Sequence, residues 1–233
     1  MNEGFASTEL GLRGIPGIAE DIMVAREILI AEFTGASVHI AHVSTDGAIG
    51  LIRDAKKKGV SITAETAPHY FTLTDDAVRG FDTNTKVNPP LRSSKDVKAV
   101  KDGLRDGTID VIASDHAPHA VTDKQVEYDY ASSGIVGLET SLGLSLALVA
   151  EGILSLNDLI RKMSVNPAHI LKVPGGTLAP SSAADITVID LGKAWTVDAS
   201  SFRSRSRNTP FDGRLLHGKA VMTIVGGEIR YRE

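Results

Sequence analysis

Three stretches of this sequence end in side chains that could bind a cation or move a proton. VIASDHAPHA, residues 111–120, passes from apolar Val111, Ile112 and Ala113 into Asp115, His116 and His119. SVHIAHV, residues 37–43, carries His42 near its end, and VSITAET, residues 60–66, runs out through Ala67 and Pro68 to His69. Read singly, a strand-end histidine is more often a satisfied structural residue, and residues 115–119 read as a loop cap beside two solvated imidazoles. Read together, two imidazoles and a carboxylate form the donor set that zinc and similar divalent metals prefer. The chain has no cysteine, which excludes thiolate ligation and a disulfide framework, so any metal must be held by His, Asp or other oxygen ligands, and His42, His69 and Asp115 at the strand ends are the candidates. His39, three residues before His42, points to the opposite face of an extended strand, so packing or a surface contact is its expected role.

For these groups to meet, their strands must run parallel and end on one side of a sheet. Pro16 opens a helix in which Ile18, Ile22, Val24, Ala25, Ile28 and Leu29 recur roughly at helical spacing, closed by Thr34-Gly35. Strand 37–43, helix 47–58, strand 60–66, a short extended piece at 86–91 (KVNPPL), helix 94–104 and strand 111–113 follow. This alternation predicts βαβ units and a parallel sheet of four strands, with its ligand-binding mouth at their C-terminal ends. Residues 121–133 are polar and aperiodic, with Tyr128 and Tyr130 but little to anchor them to a core, which predicts a lid over substrate. Residues 138–153 and 156–165 read as buried helices, the second stopped by Asn166-Pro167. Beyond Gly175 the pattern turns antiparallel, with strands at 184–191, 194–197 and 220–231, a hairpin at Gly226-Gly227, and a solvated loop at 200–208.

Composition narrows the classes of function. A chain of 233 residues, 42% hydrophobic and 23% charged, reads as globular with an ample core. A net charge of −4 supplies no basic field for nucleic acid, and Lys56, Lys57 and Lys58 read as a solvated helix face. No apolar run approaches the ~20 residues of a membrane helix and no leader pattern opens the chain, so a cytoplasmic location is expected.

The motifs HIAHVS, TAETAPHYFTLT, KVNPPLR, DGTID, SDHAPH, GIVGLET, SVNPAHIL and NTPFDG follow one another along essentially the whole chain. In this order and spacing the chain resembles the amidohydrolase superfamily, and within it the C-terminal part of the bacterial type I dihydroorotases. Allantoinases and dihydropyrimidinases share much of the scaffold; the second histidine of DHAPH points to dihydroorotase. The resemblance implies an α/β fold. Residues 1–175 would be the C-terminal half of a TIM-type (β/α)8 metallo-dependent hydrolase barrel, strands 5 to 8 with their helices. Residues 176–233 would be the C-terminal part of a composite β domain, a small β-sandwich portion. It implies a cyclic amide hydrolase that interconverts N-carbamoyl-L-aspartate and L-dihydroorotate in pyrimidine (UMP) biosynthesis. It also implies one or two Zn2+ ions in the complete enzyme, with His42, His69 and Asp115 as ligands and Asp115 carrying the proton. Asn88 and His119 would hold the substrate, and the backbone around Gly134 the edge of the pyrimidine ring.

The sequence departs from the family at Ser132-Ser133-Gly134, where a Pro-Phe-Gly run is usual, and at residues 180–185, where a Pro-Gly pair is commoner. The family's upstream HxH pair, its substrate arginine and asparagine, and its fourth-strand lysine or aspartate have no counterpart in these residues. The resemblance therefore implies an incomplete second metal site and a chain that is weakly active or inactive alone. A second copy or an aspartate transcarbamoylase is the implied protein partner. The alternatives are a non-catalytic structural relative, or another cyclic amidohydrolase such as an allantoinase.

Overall fold

The first part of the chain alternates helix and strand because its helices carry explicit start and stop signals. The computed structural model describes every residue, Met1–Glu233. A short α1 (Phe5–Leu10) precedes the long α2 (Gly17–Thr34), which stops at Gly35 in the left-handed region (φ 69°) that glycine enters without steric cost. Then come β1 (Val38–Ile40), α3 (Asp46–Lys57), β2 (Ile62–Thr66), α4 (Pro68–Thr72), α5 (Ser94–Asp106), β3 (Val111–Ile112) and the one-turn α6 (Val121–Lys124). The Thr45 side chain accepts from the amide of Ala48 to cap α3, while Ser93 and Asp96 form a reciprocal capping box on α5. Each of these helices buries one apolar stripe, Ile49 and Ile52 on α3 and Val100 and Leu104 on α5, and turns charged residues outward.

The strands pair in parallel in the order β1-β2-β3, with Val38 opposite Ile62 and Glu65 opposite Val111. Parallel pairing brings all three C-terminal ends to one side, as the site requires. The sheet has three strands rather than the expected four. Residues 86–91 form no strand, and β2 pairs directly with β3. Pro89 and Pro90 lack the amide protons a ladder needs, and the Asn88–Pro89 bond is cis. β1 is also shorter than the predicted 37–43, ending at Ile40.

The chain forms two compact units, residues 1–139 with 199–210, and 140–198 with 211–233. In the second unit α7 (Ser141–Ala150) belongs with the antiparallel sheet. That sheet comprises β4 (Ile186–Thr196), β5 (Leu215–Val225) and β6 (Glu228–Arg232), in that order. Two glycines make this contact. A Cβ at Gly143 would lie 3.0 Å from Leu216, and one at Gly218 would lie 2.3 Å from Leu146. The Gly226-Gly227 turn joins β5 and β6 as predicted, with φ of 58° and 83°, the conformation a two-residue hairpin demands. Asn166-Pro167 does not stop its helix. α8 (Leu156–Ile160) runs through a π turn at Arg161–Val165 into α9 (Asn166–Leu171), and that wider turn accommodates a residue without an amide proton. No helix is long and apolar enough to cross a membrane.

Two stretches read as loose are held in the first unit. Residues 200–208 are not simply a solvated loop, since Phe202 and Asn208 are buried. Residues 121–133 are clamped. The buried Lys124 ammonium donates to the carbonyls of Thr83 (3.0 Å) and Ser132 (2.7 Å), and Lys86 donates to those of Tyr128 (2.8 Å) and Asp129 (3.0 Å). Tyr128 itself packs on Met1, Ala6 and Val78. The expected unanchored lid is thus tied at three points, with Tyr130 left outside. Replacing Lys124 by Met removes two charge-assisted bonds, so amide exchange across residues 121–133 should rise about tenfold or more while β2 is unchanged. Unchanged exchange in the loop would show that the lysine clamp does not hold it.

Candidate functional site

At the C-terminal edge of the parallel sheet the backbone turns sharply, and the turning residues are the predicted ligands. His42 (φ 57°) and Asp115 (φ 44°) both occupy the left-handed region, which residues with a Cβ seldom enter. His69 sits in the first turn of α4, which Pro68 starts immediately after β2. His42 Nε2 lies 3.6 Å from Asp115 Oδ1, and His69 Nε2 lies 3.5 Å from Asp115 Oδ2. The structure thus brings together the three residues that the sequence proposed as ligands.

These separations are too long for hydrogen bonds. They suit donors around one cation, since ligand atoms about 2.1 Å from a tetrahedral ion lie about 3.4 Å apart. As the side chains lie, no three of them form a ready-made metal cage, and Asp115 turns a different oxygen to each imidazole. His69 is 3% exposed and its Nε2 has no hydrogen-bond partner. Such an orphaned buried nitrogen costs about 1–3 kcal/mol, which a bound cation would offset, and the donor set therefore fits a divalent metal. His42 Nδ1 also lacks an aligned hydrogen bond, although Glu65 Oε1 lies within ion-pair range at 3.3 Å.

Burial sets the charge states here. Desolvation, reinforced by the His42 imidazole, lowers the pKa of His69 from 6.5 to about 3, leaving a neutral ring with a lone pair for a metal. Burial also raises Asp115; His42 opposes that shift and Glu65 adds to it. Tyr70 is pushed well above its usual value by burial and by Asp115, and its hydroxyl donates to the Pro89 carbonyl at 2.8 Å.

The three expected substrate residues lie outside this contact group. Asn88 is exposed, next to its cis bond. His119 hydrogen-bonds through Nε2 to the Ser133 carbonyl at 2.9 Å. The Gly134 amide donates to the Lys86 carbonyl (2.8 Å) and its carbonyl accepts from Asn208 Nδ2 (3.0 Å). Only glycine fits there, since a Cβ would lie 2.8 Å from His119 Nε2 at a φ of 150°. His116 is likewise occupied, its Nδ1 accepting from the amide of Gly137 at 3.1 Å.

Sequence reasoning missed several supports. Asn208 braces the segments at His119 and Gly134: its Oδ1 accepts from the amide of His119 (3.1 Å), and its Nδ2 reaches the Ala117 carbonyl (2.9 Å) as well as Gly134. Glu20 accepts from the amides of Ser44 (2.7 Å) and Thr45 (3.1 Å) and holds the turn after His42. The buried Arg92 faces Glu20 at 3.4 Å and donates to Ser44 Oγ at 3.1 Å. His39, placed on the far face by strand alternation, instead lies 3.2 Å from Glu65 on the same side as His42. The alternation fails because β1 ends at Ile40 and His42 has left the strand. The available signal was Glu65 itself, a carboxylate in an otherwise uncharged strand.

The sequence pattern of the amidohydrolase family matches residues 16–230. The dihydroorotase of Syntrophus aciditrophicus (strain SB) is 64% identical over 233 residues, covering all of this chain and 55% of the relative. That of Geobacter metallireducens (strain ATCC 53774 / DSM 7210 / GS-15) is 60% identical over 232 residues, with coverage of 100% and 55%. Among solved structures, the L-hydantoinase (dihydropyrimidinase) from Arthrobacter aurescens superposes with a TM-score of 0.87 at 34% identity, covering 91% of this chain and 49% of that one. The chain spans about half the length of the relatives it matches.

The depressed pKa of His69 makes the metal-free fold acid-sensitive. Between pH 6.5 and about 3 the unfolded chain binds a proton at His69 that the folded chain refuses. Stability must then fall as pH falls through that window, with a limiting slope of about 1.4 kcal/mol per pH unit from this group. Urea unfolding from pH 7 to 4 should show a shallower loss in His69→Gln than in the parent. Parallel curves would mean that His69 is not buried neutral.

Proposed function

We propose that this chain, which belongs to the amidohydrolase family, is the C-terminal part of a dihydroorotase. The complete enzyme would interconvert N-carbamoyl-L-aspartate and L-dihydroorotate. The observation that carries this reading is Asp115 standing between His42 and His69, with His69 Nε2 buried and unpartnered. A divalent cation held by these three residues, zinc being the ion their donor set favours, would polarise the cyclic amide carbonyl and acidify a water. Asp115 accepts the proton of the attacking water and returns it to the departing ring nitrogen. The burial that raises its pKa suits it to that exchange. Asn88 and His119, on the flanking loops, hold the polar groups of the substrate.

The α/β amidohydrolase fold reads as the C-terminal half of a (β/α)8 barrel, with the antiparallel sheet as one layer of a sandwich. Incompleteness is supported by α2, which exposes Ile18 (57%), Ile22 (59%), Leu29 (64%) and Phe33 (91%) at helical spacing. A stripe of this kind favours coverage by further chain or by a second copy. The net charge of −4 and the small-molecule chemistry fit a cytoplasmic enzyme without nucleic-acid contacts.

The test is reconstitution. Fused behind the upstream portion of the Syntrophus aciditrophicus relative, the chain should turn over L-dihydroorotate, and Asp115→Asn should lower kcat roughly a thousandfold or more. The 233-residue chain alone should show little turnover. A fusion that hydrolyses hydantoins or allantoin but not dihydroorotate would assign it to another branch of the family.

A further inference from the structure

We infer that Glu65, backed by His39, is the outer carboxylate that fixes the tautomer and orientation of His42 and thereby sets how tightly the chain holds its cation. The inference rests on the metal reading above and adds two positioning residues to it.

The strand register makes the arrangement. His39 on β1 stands opposite Thr63 on β2, and Glu65, two residues further along β2, shares the face of Thr63. The contacts then form one line. Thr63 Oγ1 lies 2.7 Å from His39 Nδ1, and His39 Nε2 lies 3.2 Å from Glu65 Oε2. Glu65 Oε1 lies 3.3 Å from His42 Nδ1, and His42 Nε2 faces Asp115.

Hydrogen-bond accounting allows one assignment that leaves both rings neutral and Glu65 ionised. The Thr63 hydroxyl donates to His39 Nδ1, so His39 carries its proton on Nε2 and gives it to Glu65. The other Glu65 oxygen faces His42 Nδ1 at 3.3 Å, close but not aligned as a hydrogen bond, so its charge favours the proton on Nδ1 and leaves the Nε2 lone pair directed at Asp115. A carboxylate behind a ligating imidazole orients the ring and strengthens it as a donor.

Charge points the same way. The side chains nearest the Glu65 carboxylate are the imidazoles of His39 and His42, and those nearest Asp115 are His42 and His69. Two half-buried carboxylates flank one imidazole here, and the pair balances once a divalent cation joins it.

The experiment uses the 233-residue chain and zinc itself. Zinc affinity would be measured by competition dialysis for the parent, Glu65→Gln, His39→Gln and the double variant, with circular dichroism to confirm folding. Imidazole 15N spectra of the metal-free proteins would report the His42 tautomer. Glu65→Gln should weaken zinc binding about 10- to 100-fold and release His42 from its Nδ1–H form. His39→Gln should give a smaller loss, and should add nothing once Glu65 is replaced. Zinc affinity and tautomer both unchanged in a folded Glu65→Gln would overturn the inference. If Glu65→Gln fails to fold, an unchanged affinity and tautomer in His39→Gln would do the same. Zinc uptake that survives His42→Ala, His69→Ala and Asp115→Ala alike, or no uptake by the parent, would sink the metal reading. In that event the tautomer comparison alone judges the role of Glu65.

Discussion

A buried imidazole nitrogen without a partner is costly, and the first unit is arranged around accepting that cost at His69. Pro68 starts α4 directly off β2, which drives His69 into the interior with its ring neutral and Nε2 aimed at Asp115. Parallel pairing of three strands puts His42 and Asp115 at the same edge, and left-handed turns at both residues bring their side chains toward each other. A fold selected only for stability would pair or remove that nitrogen. Its retention beside a carboxylate and a second imidazole supports the proposed cation site.

The supporting contacts extend well beyond the ligands. Glu20 grips the turn that follows His42, and Arg92, four residues past Asn88, both neutralises Glu20 and reaches Ser44. The segment that follows Asn88 and the turn that follows His42 are therefore linked through Glu20 and Arg92. On the other side, the Asn208 side chain ties the segment after Asp115 to the segment at Gly134 with three hydrogen bonds. Such bracing holds side chains within the narrow tolerance that positioned catalysis needs.

Much of this was legible in the sequence, and the failures have physical causes. The ligand trio could be proposed because strand ends are marked by apolar runs that stop in polar residues. His39 was misplaced because alternation holds only while the strand continues, and β1 ends two residues before His42. Residues 86–91 suggested a strand because prolines favour extended backbone, yet those prolines cannot pair. The boundary expected at residue 175 followed a change of pattern, and the close packing of α7 on the antiparallel sheet at Gly143 and Gly218 left no such signal. The clamps on residues 121–133 are lysines, a residue type that pattern reading assigns to solvent. Asn208 gave no periodic signal, since a buried amide is recognised by its partners and those partners are distant in sequence.

The account stands or falls on where a metal ion binds. A crystal of the zinc-soaked chain, with anomalous data collected at the zinc edge, places that ion without assumption about activity. The account predicts one strong peak within about 2.0–2.2 Å of His42 Nε2, His69 Nε2 and an oxygen of Asp115. A peak at His119, His116 or a surface carboxylate with nothing between His42 and His69 would contradict it.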